Sequence, residues 1–211
     1  MITQIEQALV ERLQRGLGRL VSTVKSYGGE LDDSLSTSRL PICLVTFGGS
    51  RIERMGTNAR RHQSTANFVI IVAVNSLRSN LAARQGGVDK REVGVNQLIT
   101  AVRRLLDSQT LGRLVKPLKP TKVRTIFNNA TFKGGAVTAY AIEYDAVYND
   151  LEPLEDGLFP EKTRDVENPD YVFSHYQGEH SEPAPMLEHI GGNIYDPTNS
   201  ASVPFEVETR K

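Results

Sequence analysis

Apolar residues recur at every fourth position in Ile5, Leu9, Leu13 and Leu17, with Ala8 and Leu20 alongside. That spacing gathers them on one stripe of a helix. Thr3 followed by Glu6 fits a capping box at its start, and Gly16 and Gly18 weaken its end. Val21 to Tyr27 then alternates as a short strand would, before Gly28-Gly29 and a polar loop from Glu30 to Arg39. Two runs, Ile42 to Phe47 and Phe68 to Val74, are almost continuously apolar and rich in β-branched residues. Such runs predict strands covered on both faces, although the pattern alone also fits a buried helix. Residues 48–64 between them form a long connection whose middle extends the two strands outward as a hairpin.

Val95, Leu98, Ile99, Val102, Leu105 and Leu106 carry the clearest helical spacing in the chain. Asp89 can cap this helix, Gly112 stands near its end, and Arg103 and Arg104 fall off the stripe. Pro117 and Pro120 mark a break. Thr121 to Phe127 reads as a strand, Asn128 to Gly135 as a turn region, and Val137 to Tyr148 as a second strand. In that last strand Tyr140, Ile142, Tyr144, Ala146 and Tyr148 share one face, and Glu143 and Asp145 take the other. The order helix, strand, strand, strand, helix, strand, strand predicts an α+β domain over residues 1–150. Its sheet is mixed and mostly antiparallel, with two helices packed on one face.

Residues 151–211 differ in kind. Prolines 153, 160, 169, 183 and 185 fall among many acids, and no periodic pattern holds for a full helix. This composition does not build its own core. Yet Leu154, Leu158, Phe159, Tyr171, Phe173, Tyr176, Tyr195 and Phe205 are spread along it. They predict an acidic, Pro-rich, extended C-terminal arm that orders by lying on the body or on a neighbour.

Charge sharpens this division. Residues 1–150 hold 21 Lys+Arg against 12 Asp+Glu, a balance of +9, and residues 151–211 hold 4 against 13, a balance of −9. A globular body with an interaction tail has this signature. No apolar stretch approaches the roughly 18 residues of a membrane span, and the N-terminus lacks the pattern of a signal peptide. These features predict a soluble protein made in the cytoplasm. The single cysteine, Cys43, lies inside an apolar run and reads as a core residue.

The search for catalytic chemistry gives little. The chain has no phosphate-binding P-loop, no G-x-S-x-G elbow, no C-x-x-C and no H-E-x-x-H. Gly16-Leu-Gly18 follows a helix rather than a strand and lacks the third glycine of a dinucleotide site. His175, His180 and His189 stand near Glu179, Glu182 and Glu188, but their spacing matches no common metal site. No cofactor or metal is expected. Arg51, Arg54, Arg60 and Arg61 concentrate in the long connection. They can grip a partner or a neighbouring subunit, remain solvated, or hold nucleic-acid phosphates. No aromatic residue for base stacking lies between Phe47 and Phe68, which favours protein contact. Tyr171, Phe173, Tyr176, Tyr195 and Phe205 are the matching contact candidates in the arm.

Four segments carry a family resemblance. They are Ile2-Thr-Gln-Ile-Glu-Gln-Ala-Leu9, Val24-Lys-Ser-Tyr-Gly-Gly-Glu-Leu31, Leu40-Pro-Ile-Cys-Leu-Val-Thr-Phe47 and Asn67-Phe-Val-Ile-Ile-Val-Ala-Val-Asn75. Together with the following helix and closing hairpin they resemble a family of Mu-like phage and prophage tail proteins. Members of this family look like tail terminators, similar in architecture to the terminator of lambda-like tails. The resemblance implies a non-enzymatic virion protein at the head-proximal end of the tail, forming a hexameric ring. Such a ring caps the tail-tube protein, ends its polymerisation and offers a surface to head-completion or neck proteins, with DNA passing only as cargo. The alternative reading is a DNA-associated protein or another head–tail connector of a phage. The arm after residue 150 lies outside the resemblance.

Overall fold

A computed structural model describes residues 1–28, 40–56, 60–76, 93–132, 135–181, 189–196 and 201–208. The chain forms two compact units, Met1–Glu152 and Pro153–Lys211. The first unit opens with helix α1 (Ile2–Leu17), a short 3-10 turn (Gly18–Leu20) and strand β1 (Thr23–Ser26). Strands β2 (Ile42–Arg54) and β3 (His62–Ser76) follow, then helix α2 (Val95–Leu106) and strands β4 (Lys119–Phe132) and β5 (Gly135–Asn149). The five strands form one sheet in the order β1-β2-β3-β5-β4. Only the β1–β2 pair is parallel; the other three pairs are antiparallel. This is the expected α+β architecture, with the elements in the expected order.

The apolar stripes explain the layers. Ile5, Leu9, Leu13 and Leu17 of α1 and Val95, Leu98, Val102 and Leu106 of α2 are buried. They pack on Cys43, Val45, Phe68, Ile70, Val72, Ile142 and Tyr144, all on one face of the sheet. The opposite face has its own apolar cluster of Ile42, Leu44, Ile71, Ala73, Val137 and Ala139. The continuous apolar run in β3 is therefore covered on both faces, as expected. The alternation in β5 also holds, with Tyr144 fully buried under the helices.

Several sequence-based boundaries are corrected. Helix α1 already begins at Ile2, with Met1 as its cap and no side-chain capping bond, so Thr3 and Glu6 form no capping box. Helix α2 begins after Gly94, whose N–H donates to the Gln97 side chain at 3.2 Å. Asp89 and the loop from Glu30 to Arg39 lie outside the described residues. The helix stops at Leu106, well before Gly112. The segment from Asn128 is mostly strand, because β4 runs to Phe132 through three irregular pairings and meets β5 at Gly135. Pro120 sits inside β4, which is an outer strand of the sheet. There its missing N–H need not serve a ladder on both sides.

Two contacts fix the helices against each other. Arg12 Nε donates to the Leu105 carbonyl at 2.7 Å, satisfying an orphan acceptor at the end of α2. A Cβ on Gly16 would lie 2.5 Å from Leu105 Cδ2, so Gly16 permits a close helix crossing. At the same end, the buried Tyr144 hydroxyl donates to Asp107 Oδ1 at 2.8 Å. Arg103 Nη2 donates to Asp107 Oδ2 at 2.8 Å. Burial, and then the Asp107 carboxylate, push the Tyr144 pKa upward.

Tyr144→Phe removes the donor that Asp107 accepts without changing the ring. It is expected to destabilise the protein by about 1–2 kcal/mol, read as a lower urea midpoint with an unchanged slope. Burial also pushes the Cys43 thiol from 9.0 up to about 12. The folded state therefore favours the neutral thiol. That contribution is complete below the unfolded pKa and is lost as pH rises through the window from 9.0 to about 12. The thiol is expected to resist an aromatic disulfide reagent in the native protein and to react fully in guanidinium. The loss of stability across that alkaline window is expected to be smaller in Cys43→Ala.

Candidate subunit and partner contact surfaces

The β2–β3 hairpin continues past the helix-covered part of the sheet. The change occurs at a bulge, where the register shifts between Phe47 and Gly49. Gly49 has φ of 116°, and a Cβ on Gly48 would lie 2.8 Å from Asn67 Oδ1. Glycine suits both positions, and the extra residue increases local twist. Beyond the bulge, Arg51, Ile52, Glu53, Arg54 and Met55 are all exposed. The pairing of Arg51 with Thr65 and Glu53 with Gln63 places them on the face away from the helices. Ile52 and Arg54 pair with Ser64 and His62 on the other face.

The four arginines therefore share a hairpin but not a single face. Arg51 Nε lies 3.0 Å from Glu53 Oε1, and Arg60 Nε lies 3.9 Å from Glu152 Oε1. Arg61 is exposed. Exposed pairs of this kind add little stability, so the positive charge of the hairpin is available to a partner. Exposed Ile52 and Met55 belong to the same surface and were not singled out by sequence; isolated apolar residues among arginines carry no periodic signal.

The turn end of this hairpin also holds the end of β5. The Ser64 hydroxyl, buried, lies 2.8 Å from both Asp150 carboxylate oxygens. The Asp150 N–H donates to the His62 carbonyl at 3.1 Å. Gln63 Nε2 donates to Asn149 Oδ1 at 2.9 Å and Lys116 Nζ to Gln63 Oε1 at 3.2 Å. Burial raises the pKa of neighbouring Tyr148, with the Ser64 hydroxyl opposing and the Asp150 charge adding to the shift. The chain thus leaves the first unit beside Arg60 and Arg61. Ser64 and Asp150 are 86 residues apart, and no local pattern links them.

The second unit carries short regular elements where the sequence holds no full helical period. It contains a five-residue helix, α3 (Tyr171–His175), and a hairpin of β6 (His189–Asp196) and β7 (Ala201–Glu208). Residues 159–181 close into a loop. The Phe159 N–H donates to Ser181 Oγ at 2.8 Å, and the Thr163 N–H donates to Ser174 Oγ at 3.0 Å. No large core forms: among the described residues after Asp150 only Pro160 is buried.

The arm aromatics fall into two groups. Tyr171 and Tyr176 flank His175, with ring centroids at 5.7 and 4.7 Å, and Phe173 is exposed on the same short helix. Tyr195 and Phe205 lie on opposite faces of the β6–β7 hairpin. His180 Nδ1 lies 3.1 Å from the Pro160 carbonyl oxygen, whereas the side chain of His189 lies outside the described residues. No cluster of three His, Cys, Asp or Glu side chains suited to a metal occurs among the described residues. Among them, no helix is long and apolar enough to cross a membrane.

The residues with candidate roles thus form surfaces rather than a cleft: a basic hairpin, a braced exit point and an arm with exposed apolar groups. No curated protein matches the chain. A family model described as Bacteriophage Mu, Gp37 matches residues 1–149, which covers the sheet with its basic hairpin and both long helices. The match ends where β5 ends and the acidic segment begins. The chain belongs to the Bacteriophage Mu Gp37 family.

Proposed function

We propose that this protein is the tail terminator of a Mu-like phage. Membership in a Mu phage family supports a structural protein of the virion, and the match across the whole first unit is the observation that carries the finer reading. In this reading copies of the chain close into a ring, hexameric by analogy. The ring caps the last layer of tail-tube protein, stops its growth and receives the head-completion or neck protein.

The subunit's physical character supports assembly. The outer strands β1 and β4 lie at opposite ends of the sheet. A subunit with two different lateral sides suits a heterologous contact, in which one side meets the other side of the next copy and rotation closes the ring. Edge strand β4 carries Lys119, Lys122 and Arg124, charges that discourage indiscriminate edge-to-edge pairing. The four hairpin arginines suit a protein partner better than the lumen. A channel lined with them would retain passing DNA through counterion release.

The purified full-length chain is expected to form rings by negative-stain microscopy, with a mass by light scattering of a whole number of subunits. Phage lacking the gene are expected to make tails of unregulated length that fail to join heads. Tails of normal length in that mutant, or no ring density at the head-proximal end of the wild-type tail, would overturn the proposal. In a reconstructed ring, Arg51, Arg54, Arg60 and Arg61 are expected not to converge on the central channel.

A further inference from the structure

We infer that the β6–β7 hairpin of one copy packs its apolar face on the β2–β3 hairpin of a second copy. This deepens the terminator reading and rests on it only for the supply of neighbouring copies.

The first observation is the face itself. The pairs Ile190↔Val207, Gly192↔Phe205 and Ile194↔Val203 align on one side of the two-stranded sheet. Ile190, Ile194, Val203, Phe205 and Val207 are 40–65% exposed. A Cβ on Gly192 would lie 2.9 Å from Phe205 Cε1, so the ring lies across the glycine and the apolar face is continuous. An isolated two-stranded hairpin is marginal in water at best. A sheet with one largely apolar face gains stability when another layer covers it.

Charge selects the occupant. Two arms, each carrying −9, repel, whereas a body carries +9. On that body the β2–β3 hairpin combines basic residues with exposed apolar ones. Ile52 is 63% exposed and Met55 39%, between Arg51, Arg54, Arg60 and Arg61. The apolar face can settle on Ile52 and Met55 while the acids flanking it meet the arginines.

Reach is compatible with a neighbour. Even with residues 159–181 drawn into a closed loop, residues 153–158 and 182–188 have a contour of about 40 Å. A body of this size is also about 40 Å across. Arms exchanged around a ring leave no copy unpaired, and the tether keeps each hairpin at high local concentration near its site.

The test uses full-length Ile52→Cys and Val203→Cys variants. Both positions are exposed, and native Cys43 is buried, so the engineered thiols are the reactive ones. The two variants are mixed, one of them isotopically heavy, and joined with a short bismaleimide. Mass spectrometry of the junction peptides is expected to show the mixed 52–203 product about tenfold above either symmetric product. Adding Ile194→Asp to the Val203→Cys chain is expected to lower that product about tenfold, because it places a charge in the apolar contact. Raising the salt to about 1 M is expected to lower it as well.

Absence of the mixed product, or predominance of the 203–203 product, overturns the inference. So does a chain carrying both Ile52→Cys and Val203→Cys whose two thiols join only within that one chain. Light scattering and microscopy of the unmodified protein separate the two readings. Rings without the mixed product overturn this inference alone, whereas the mixed product without rings overturns the terminator reading and leaves the arm contact standing.

Discussion

The first unit depends on burying β3 on both faces while pairing it on both edges. From Ile70 to Val74 every side chain is buried. Ile70, Val72 and Val74 meet the helices, and Ile71 and Ala73 meet the second apolar cluster. A register slip of one residue would exchange the two sets. The large groups make that exchange costly, because Phe68 lies opposite Tyr144 in the helix-covered layer. With β3 fixed, β2 and β5 have fixed partners, and the helices have one place to pack. The basic hairpin follows from the same strand. β3 starts at His62, well before its buried stretch, and β2 follows it outward.

How much of this could be read from sequence varied with the range of the signal. Periodic burial was legible: the stripes of α1 and α2, the apolar strands and the alternation in β5 all depend on neighbours in the chain. Helix starts were less so. Thr3 offered a capping oxygen, but packing of Ile5 and Leu9 carries the helix to Ile2, one turn position beyond the box. The stretch from Asn128 had turn-like residues, yet pairing with the well-anchored β5 holds its backbone in β4 to Phe132. Tertiary pairing there outweighs local propensity. Gly16 looked like a weakness in a helix; its use appears only when Leu105, from another helix, is placed against it.

The candidate surfaces divide in the same way. The arginines were visible as a cluster of charge, but the register that splits Arg51 from Arg54 depends on the Gly48–Gly49 bulge. In the arm, Pro and acids concealed a period-two signal. Ile190, Gly192 and Ile194 alternate, and so do Val203, Phe205 and Val207. Each run is short and interrupted by Gly or Pro, which lowers its weight as a strand. Pairing the two runs reveals the apolar face, because only then do the alternate positions meet on one side. The latch of Ser64 and Asp150 had no sequence signal at all.

That latch bears on what the arm can transmit. A passive tether needs only a flexible exit from the last strand. Here the exit is held by a buried hydroxyl, a backbone bond to His62 and the Gln63–Asn149 pair, all on the first residues of β3. A load on the arm is therefore shared between β5 and β3, the strand on which the core depends. The bonds at Ser64 and His62 must break before β5 can peel away from its end. The same residues pair with Ile52, Glu53 and Arg54 beside the turn of the basic hairpin. A pull through the arm of one copy and a contact made on its hairpin by another copy thus reach the sheet at one place. For a subunit joined to its neighbours by exchanged arms, that arrangement directs assembly forces into the best-packed part of the fold rather than into its margins.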